Sequence, residues 1–224
     1  MNRQRIFVTG SVALDKFRLE PDVPREAVLS AMDAPPAARQ KPLAVLIFHP
    51  IAAEVGVAGQ YLRDTTQALL ARGFHVCVGA PNTDPGNAAL VAELEALSRT
   101  DGVTFYRNLS RSLFINLLRH SRLIIGNSSA GIIEAASLRI PAINIGERQR
   151  GRLSGGNVVF TGGERAQIEA ALDAVATPAF QQALATLENP YGDGHSAEEA
   201  ARLLTTLDFA AFLRKPEDPL HVSR

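Results

Sequence analysis

The chain has little cysteine, no excess charge of either sign and no long apolar run, and each shortage excludes a class of protein. A single cysteine, Cys77, excludes an intrachain disulfide. It stands in the apolar stretch 75–79, so we expect a buried structural thiol and not a catalytic one. The 23 lysines and arginines balance 23 aspartates and glutamates, so no overall field favours nucleic acid or an anionic membrane surface. Any anion site must therefore be local.

Long apolar segments and metal-ligand spacings are also missing. No segment approaches the roughly 18 apolar residues of a membrane span, and the basic start has no apolar stretch long enough for a signal peptide. We therefore expect a cytoplasmic protein that binds neither nucleic acid nor membrane. Without a repeat or a zinc-type spacing, no metal or other cofactor is expected. A length of 224 residues suits one domain with a full core, plus a linker and a tail.

From residue 43 onward, apolar runs typical of buried strands alternate with helical periodicity. Strands joined by single helices predict right-handed crossovers and a parallel sheet, with ligands at the carboxyl ends of the strands. The predicted fold class is therefore α/β, with a single Rossmann-like domain over residues 43–208. The expected strands are 43–48, 75–78, 103–106, 123–125, 142–145 and 157–160, and the expected helices are 60–72, 87–97, 111–119, 131–138 and 164–175.

The flanking segments are expected to be less regular. Residues 6–10 have the composition of a short strand that ends at a glycine turn. Residues 20–42 contain five prolines and an alanine-rich run, which predicts a linker with at most one short helix, opened by Pro24. A last helix is expected from Ser196, because Ser-Ala-Glu-Glu is a capping-box sequence. Residues 209–224 are expected to form a tail.

The densest chemical signal is the stretch 124–134, an apolar strand that runs into a loop of small polar residues and then a helix. A helix N-terminus offers unpaired N–H groups to an anion, and Ser128 and Ser129 add hydroxyl donors, so a diphosphate fits there. Glu134 lies three residues after Gly131, about one helical turn, and has two oxygens for the hydroxyls of a ribose. A plainer interpretation stays open, in which Asn127 or Ser128 only caps the helix and Glu134 is a solvated acid.

Residues 144–152 add three arginines in a glycine-bounded loop after the next strand. Guanidinium groups suit diphosphate oxygens, and neighbouring strand ends meet at one edge of a sheet, so this loop is expected to converge with Ser128 and Ser129. A solvated basic loop is the alternative. His49 closes the first long strand and Asn82 follows the second, at the edge where a site would lie. A histidine at a strand end is otherwise structural.

Six short blocks, in order along the chain, are far more specific together than any one of them. They are Phe-Val-Thr-Gly at 7–10, Phe-His-Pro at 48–50, Pro-Asn-Thr-Asp at 81–84, Gly-Asn-Ser-Ser-x-Gly-Ile-Ile-Glu at 126–134, Asn-Ile-Gly-x-Arg-Gln-x-Gly-Arg at 144–152 and Asn-Pro-Tyr-Gly-Asp-Gly at 189–194. From about residue 7 to residue 207 the sequence resembles the hydrolysing UDP-N-acetylglucosamine 2-epimerases of sialic acid-type and related bacterial sugar pathways.

The resemblance implies UDP or a UDP-sugar as the ligand and gives the motif residues roles. The serines and the glutamate of block 126–134 would hold the phosphates and the ribose, and the residues of the other blocks would border the nucleotide. The UDP-binding residues implied are Asn82, Ser128, Ser129, Gly131, Glu134, Arg148 and Arg152, and the catalytic candidate is His49, which would stabilise departing UDP.

The resemblance also implies a two-domain fold of the glycosyltransferase B type, of which this sequence resembles the second Rossmann domain. Residues 1–19 resemble the passage out of the first domain, which implies a further domain of about 150 residues ahead of Met1. The family reaction eliminates UDP to give a 2-acetamidoglucal, and water then adds to give N-acetylmannosamine. The acids that move the C2 proton would belong to the other domain, so the chain alone is expected to be inactive.

Three functions stay open on the sequence. The first is the UDP-binding half of such an epimerase, either truncated or working with a separately encoded first half. The second is a non-catalytic nucleotide-sugar binding module, because the proton-transfer acids are missing. The third is a glycosyltransferase B-type half-domain, which the Gly-Arg-rich block 146–152 disfavours. An interdomain face without its partner would expose apolar surface, so a separate N-terminal domain or a homo-oligomer is an expected partner.

Overall fold

A six-stranded parallel sheet organises the part of the chain that the computed structural model describes, residues 5–81 and 87–212. The strand order is β3-β2-β1-β4-β5-β6, so the chain builds outward from β1 on one side and then returns to add β4 on the other. This is the Rossmann order, with its reversal between β1 and β4. The strands are β1 (Leu43–Ile47), β2 (His75–Gly79), β3 (Val103–Tyr106), β4 (Ser121–Gly126), β5 (Ala142–Ile145) and β6 (Val158–Thr161).

Helices surround this sheet and connect its strands. The α-helices are α1 (Val12–Leu19), α2 (Arg25–Ala31), α3 (Ala58–Ala71), α4 (Asn87–Leu97), α5 (Arg111–Arg119), α6 (Ser129–Ile133), α7 (Arg165–Ala176), α8 (Pro178–Leu184), α9 (Ser196–Thr206) and α10 (Phe209–Phe212). Short 3-10 helices are Pro36–Gln40, Ala52–Glu54 and Ala135–Leu138. The predicted helix 131–138 is thus α6 followed by a 3-10 turn, and α6 starts two residues earlier than expected.

Two hydrophobic clusters pack on opposite faces of the sheet, because successive side chains of a strand point to opposite sides. Leu43, Val45 and Ile47 of β1 join one cluster with side chains of α2 and α5. Ala44 and Leu46 join the other, with side chains of α3, α4 and α7. All of β1 is buried, which explains its unbroken apolar sequence. The predicted α/β fold with a parallel sheet is confirmed.

Residues 6–10 do not form the predicted strand. Val8 is 90 % exposed, and the edges of the sheet are β3 and β6, so the segment has no strand beside it to satisfy its backbone groups. The expected turn does occur, because Gly10 has a φ of 85°. The backbone N–H of Ser11 then donates to the carbonyl of Tyr191 at 2.8 Å, which ties the segment to the 189–194 block.

Residues 20–42 pack against the domain, although the sequence indicated a linker. The expected short helix is α2, which Pro24 precedes, and its residues Val28 and Leu29 are buried in the cluster shared with α5. The guanidinium of Arg119 donates to the carbonyl of Glu20 at 2.9 Å. The prolines therefore interrupt regular structure here without separating the stretch from the core.

The start of α9 is not the predicted capping box. Ser196 is the first helical residue, and the N-cap position is His195, whose side chain makes no capping bond. The carboxylate of Asp15 in α1 instead accepts the backbone N–H of Ser196 at 3.0 Å and that of Ala197 at 2.7 Å. The Ala197 N–H is the main cause of a lowered pKa of Asp15. A local sequence pattern cannot reveal this cap, because the acceptor comes from the other end of the chain.

Cys77 is buried on β2, as expected. Burial raises the pKa of its thiol to about 12, so a nucleophilic thiolate does not form near neutral pH.

His75, also on β2, gives the stability a pH dependence. His75 is 1 % exposed, and its Nε2 lies 2.8 Å from the hydroxyl of Thr104. Burial, with smaller contributions from Lys41 and Arg25, lowers the pKa of His75 to about 4. An unfolded histidine titrates near pH 6.5, so between these values the unfolded chain binds a proton that the folded chain does not.

The free energy of unfolding is therefore expected to fall by up to about 3 kcal/mol as the pH decreases from about 7 to about 4. Urea denaturation at several pH values measures it, and His75→Gln should lose most of this dependence. His195→Gln is the control, because that side chain is exposed and should leave the dependence intact. An equal slope in His75→Gln and the parent would contradict the assignment.

Candidate functional site

The carboxyl ends of β1 and β4 meet where the strand order reverses, with Ile47 paired to Gly126. The loops after two such strands leave in opposite directions and open a crevice, where ligands of Rossmann-like sheets bind. His49 follows β1 and Asn127 follows β4. The topology therefore brings two of the six sequence blocks together at this crevice.

Asn127 joins the two loops. Its residue is 0 % exposed, its Oδ1 accepts the backbone N–H of His49 at 2.7 Å, and its Nδ2 donates to the carbonyl of His49 at 2.8 Å. Its own backbone N–H donates to the carbonyl of Ile47 at 3.0 Å. A side-chain amide can satisfy both backbone groups of one residue in this way. The sequence indicated Asn127 only as a possible helix cap and did not reveal this bridge.

The loop after β5 brings two donors to the backbone carbonyl of Asn127. Nη1 of Arg148 and Nε2 of Gln149 each donate to it, both at 3.0 Å. Gln149 is buried and Arg148 half-buried. A guanidinium carries five N–H donors, so it can hold a carbonyl and an oxyanion at the same time. The structure thus brings Arg148 next to Ser128, as the strand order predicts.

Arg152 is linked to the 126–131 loop through Gln149 and not by a hydrogen bond of its own. Its Nη1 donates to Oε1 of Gln149 at 2.7 Å, so it holds the side chain that in turn holds Asn127. Arg150 faces outward and pairs with the carboxylate of Glu147 at 2.7 Å. The three arginines therefore differ in role, and sequence reasoning missed Gln149 although it lies inside the quoted block.

Ser128 and Gly131 have structural neighbours within the protein. Ser128 is the N-cap of α6, and its hydroxyl accepts the N–H of Ala130 at 3.3 Å. A Cβ added to Gly131 would lie 3.5 Å from the Cβ of Ala142, an ordinary contact distance, so Gly131 faces β5 but the space there would also admit an alanine. Ser129 begins α6 and is half-buried. Ser128 therefore does cap the helix, as the plainer interpretation expects, and the same loop also lies at the crevice.

Glu134 is not the solvated acid of the plainer interpretation. Its side chain is 10 % exposed, and Oε1 accepts from Nη2 of Arg111 at 2.6 Å. The Arg111 guanidinium also lies 5.1 Å from the ring centroid of Phe17. Arg111 was not predicted as a site residue, since nothing in its local sequence indicates a partner on another element.

Asn82 and His49 are the remaining predicted site residues. Asn82 lies outside the described residues. His49 is half-buried at the crevice, and Asn127 fixes its backbone on both polar groups.

A cavity of about 1090 Å³ lies elsewhere, between residues 7–11, the turn after α6 and residues 187–193. Its lining contains none of the predicted UDP-binding residues, and its charged groups are Arg139, Glu188 and Asp193. A lining with more acid than base does not favour a diphosphate. The charges favour the crevice at the strand ends as the anion site, even though this cavity is large.

Metal and membrane features are also absent from the described ranges, 5–81 and 87–212. No group of three or more His, Cys, Asp or Glu side chains there could hold a metal ion. No helix in the same ranges is long and apolar enough to cross a membrane.

Comparison with curated proteins gives relatives that include 2-epimerases of nucleotide sugars. A UDP-N,N'-diacetylbacillosamine 2-epimerase (hydrolyzing) of Legionella pneumophila is 29 % identical over 207 residues, which cover 91 % of this chain and 52 % of that protein. A UDP-N-acetylglucosamine 2-epimerase of Neisseria meningitidis is 32 % identical over 117 residues, 52 % of this chain and 31 % of that protein. The chain thus spans about half the length, or less, of these relatives.

Solved structures agree on the fold. The Staphylococcus aureus MnaA–UDP structure superposes with a TM-score of 0.72 at 17 % identity, over 96 % of this chain and 58 % of that one. The likeness shows that this single α/β domain has the fold of part of a glycosyltransferase B-type epimerase. The model of the UDP-N-acetylglucosamine 2-epimerase family matches residues 1–205. The chain therefore belongs to the UDP-N-acetylglucosamine 2-epimerase family.

Proposed function

We propose that this chain is the UDP-binding half of a hydrolysing UDP-N-acetylglucosamine 2-epimerase, with UDP across the carboxyl ends of β1 and β4. The observation that carries the proposal is the convergence of Arg148 and Gln149 on the carbonyl of Asn127. Asn127 directly precedes the two serines at 128 and 129. The family membership and the UDP in the Staphylococcus aureus relative support it.

The diphosphate would lie between the hydroxyls of Ser128 and Ser129 on one side and the guanidinium of Arg148 on the other. Ser128 and Ser129 are half-buried beside the crevice, and the Arg148 guanidinium is held by the carbonyl of Asn127, the residue before Ser128. The hydroxyls and the fixed guanidinium would donate hydrogen bonds to the charged diphosphate oxygens. Because the chain has a formal net charge of +0, the attraction for a diphosphate must come from such local groups and not from the overall charge.

The ribose would lie against Glu134. One carboxylate oxygen of Glu134 accepts from Arg111, so the side chain is already fixed in direction before a ligand arrives. A carboxylate accepts several hydrogen bonds, and a ribose hydroxyl would add to this pair without displacing it.

In the reaction, a base removes the proton at C2 of the sugar, the C1–C2 double bond forms, and the C1–O bond breaks with its electron pair on UDP. Arg148 and His49 would stabilise the negative charge that develops on the departing diphosphate. The base would come from a further domain, so the chain alone would bind UDP but would not convert a UDP-sugar.

Oligomerisation, or docking of that domain, would cover the exposed apolar side chains of Phe7, Leu204 and Phe209.

Calorimetric titration with UDP tests the binding claim. The parent should bind saturably, and Arg148→Ala should bind about 10- to 100-fold more weakly, because a hydrogen bond to a charged group contributes about 1.5 to 3 kcal/mol. Arg122→Ala is the matched control, since this arginine is exposed on β4 away from the loops and should leave the affinity unchanged. No saturable binding by the parent, or equal losses in both variants, would refute the proposal.

Catalysis is tested by adding an N-terminal domain of the family to the chain. UDP release from a UDP-N-acetylhexosamine, with a free sugar as the second product, is the expected result. Binding without turnover with every such domain would favour a non-catalytic binding module. Transfer of the sugar to an acceptor would favour a glycosyltransferase half-domain.

A further inference from the structure

The peptide unit between Gly146 and Glu147 is held on both of its polar groups by buried side chains. Its N–H donates to Oε1 of Glu54 at 2.8 Å, and its carbonyl accepts from Nδ2 of Asn144 at 3.3 Å. Glu54 and Asn144 are 7 and 4 % exposed. Because one comes from the turn after β1 and the other from the end of β5, this peptide is tied to both strand ends.

Glu54 and Gly146 fit each other closely. Gly146 has a φ of 76°, and a Cβ added there would lie 2.3 Å from Oε1 of Glu54 and 2.8 Å from Oε2. A positive φ favours glycine, and the carboxylate occupies the space in which another residue would place its side chain. The site of the carboxylate is therefore built into the backbone of the loop.

The held peptide lies immediately before Arg148. Its orientation sets the direction in which the chain leaves β5, and from there the Arg148 guanidinium reaches the carbonyl of Asn127. A loop without the Glu54 contact keeps the arginine but loses its fixed starting direction, so more conformational freedom must be lost when a ligand binds.

Glu54 does not have the contacts of a residue that serves stability alone. Its Oε2 is buried and has no hydrogen-bond partner among the described residues. A buried carboxylate with an unpaired oxygen costs folding free energy, and an apolar side chain of the same size would avoid that cost.

We propose that Glu54 is a positioning residue of the nucleotide site, which places Arg148 for the diphosphate by holding the N–H of Glu147. The inference rests on the proposed function for its ligand, whereas the hydrogen bond between the Glu147 N–H and Glu54 is observed independently of it. Glu54→Gln keeps an acceptor for this N–H, and Glu54→Ala removes it. Glu54→Met also removes it but fills the space, so it carries the test if the alanine variant does not fold.

A double-mutant cycle on UDP affinity tests the route through Arg148. Glu54→Ala and Glu54→Met should weaken UDP binding about 10-fold and Glu54→Gln less than about 2-fold, with Glu169→Ala as a control that removes an exposed carboxylate on α7 and should leave the affinity unchanged. In the Arg148→Ala background the Glu54 variants should add less than about 2-fold, because coupled residues are not additive. Parent-like affinity in Glu54→Met, or losses that multiply in the double variant, would overturn the inference.

Amide hydrogen exchange without UDP separates this inference from the proposed function. Exchange at Glu147 should be at least about 10-fold faster in Glu54→Met than in Glu54→Gln, with the sheet amides unchanged. A parent that does not bind UDP refutes the proposed function, and the exchange at Glu147 still decides the role of Glu54. Equal protection of Glu147 in the methionine and glutamine variants would overturn it.

Discussion

The Asn127→Ala variant is expected to lose about 2 to 5 kcal/mol of unfolding free energy and to bind UDP too weakly to measure. The truncation removes both hydrogen bonds between the buried Asn127 side chain and the backbone of His49, and the loss of such a bond costs about 1 to 3 kcal/mol. The loops after β1 and β4 lose their connection, and with it the fixed carbonyl to which Arg148 is bound. Urea denaturation and calorimetry with UDP measure the two effects.

Asn157→Ala is the matched control for this change. Asn157 is equally buried, and its Nδ2 donates to the carbonyl of Ile140 at 3.0 Å, before β5 and β6 begin and away from the crevice. Its alanine variant should lose stability and, where folded, keep the UDP affinity of the parent. Asn127→Ala with unchanged affinity would show that the bridge between the two loops is not needed for binding.

Gly126→Ala is expected to destabilise the chain by about 3 kcal/mol or more, since backbone strain of this kind costs about 1 to 3 kcal/mol before any clash is counted. Gly126 has a φ of 120°, and an added Cβ would lie 2.0 Å from the carbonyl oxygen of Ile47. That oxygen belongs to the backbone of the neighbouring strand, so only a separation of β4 from β1 relieves the contact. Urea denaturation measures the loss, and the separation would also disturb the bonds of Asn127.

Gly131→Ala is the control for this prediction. An added Cβ there meets the Cβ of Ala142 at an ordinary 3.5 Å, and alanine favours a helix by up to about 1 kcal/mol over glycine. This variant should be as stable as the parent or slightly more stable. Parent-like stability of Gly126→Ala would contradict the close approach of the two strands at the crevice.

The parts of the fold that the sequence predicts are those set by local pattern. The strands are short, mainly apolar runs, so β3 and β5 are predicted with their observed bounds even though each contains a polar residue, Thr104 or Asn144. Residues 20–42 differ, because proline and alanine content indicates irregularity but not whether a stretch packs on the core. The strand predicted at the apolar residues 6–10 is wrong for the opposite reason. A strand needs a neighbouring strand to pair with, and composition alone does not show whether one is there.

At the candidate site, too, local sequence predicts some features and not others. Residues 128–134 and 144–152 are recognisable because small polar residues and arginines follow strands, and the strand order then brings them together. The contacts that fix them join residues far apart in the chain, as in the pairs of Arg111 with Glu134 and of Glu54 with the Glu147 N–H. No local pattern encodes such a pair, and it appears only once the fold is known.

A UDP titration followed by amide NMR tests most directly where the ligand binds. If UDP lies across the ends of β1 and β4, the largest shift changes should fall on His49, residues 127–130 and residues 146–149, with saturation at the calorimetric Kd. Changes centred on the cavity lined by residues 7–11 and 187–193, or no saturable change anywhere, would contradict the site.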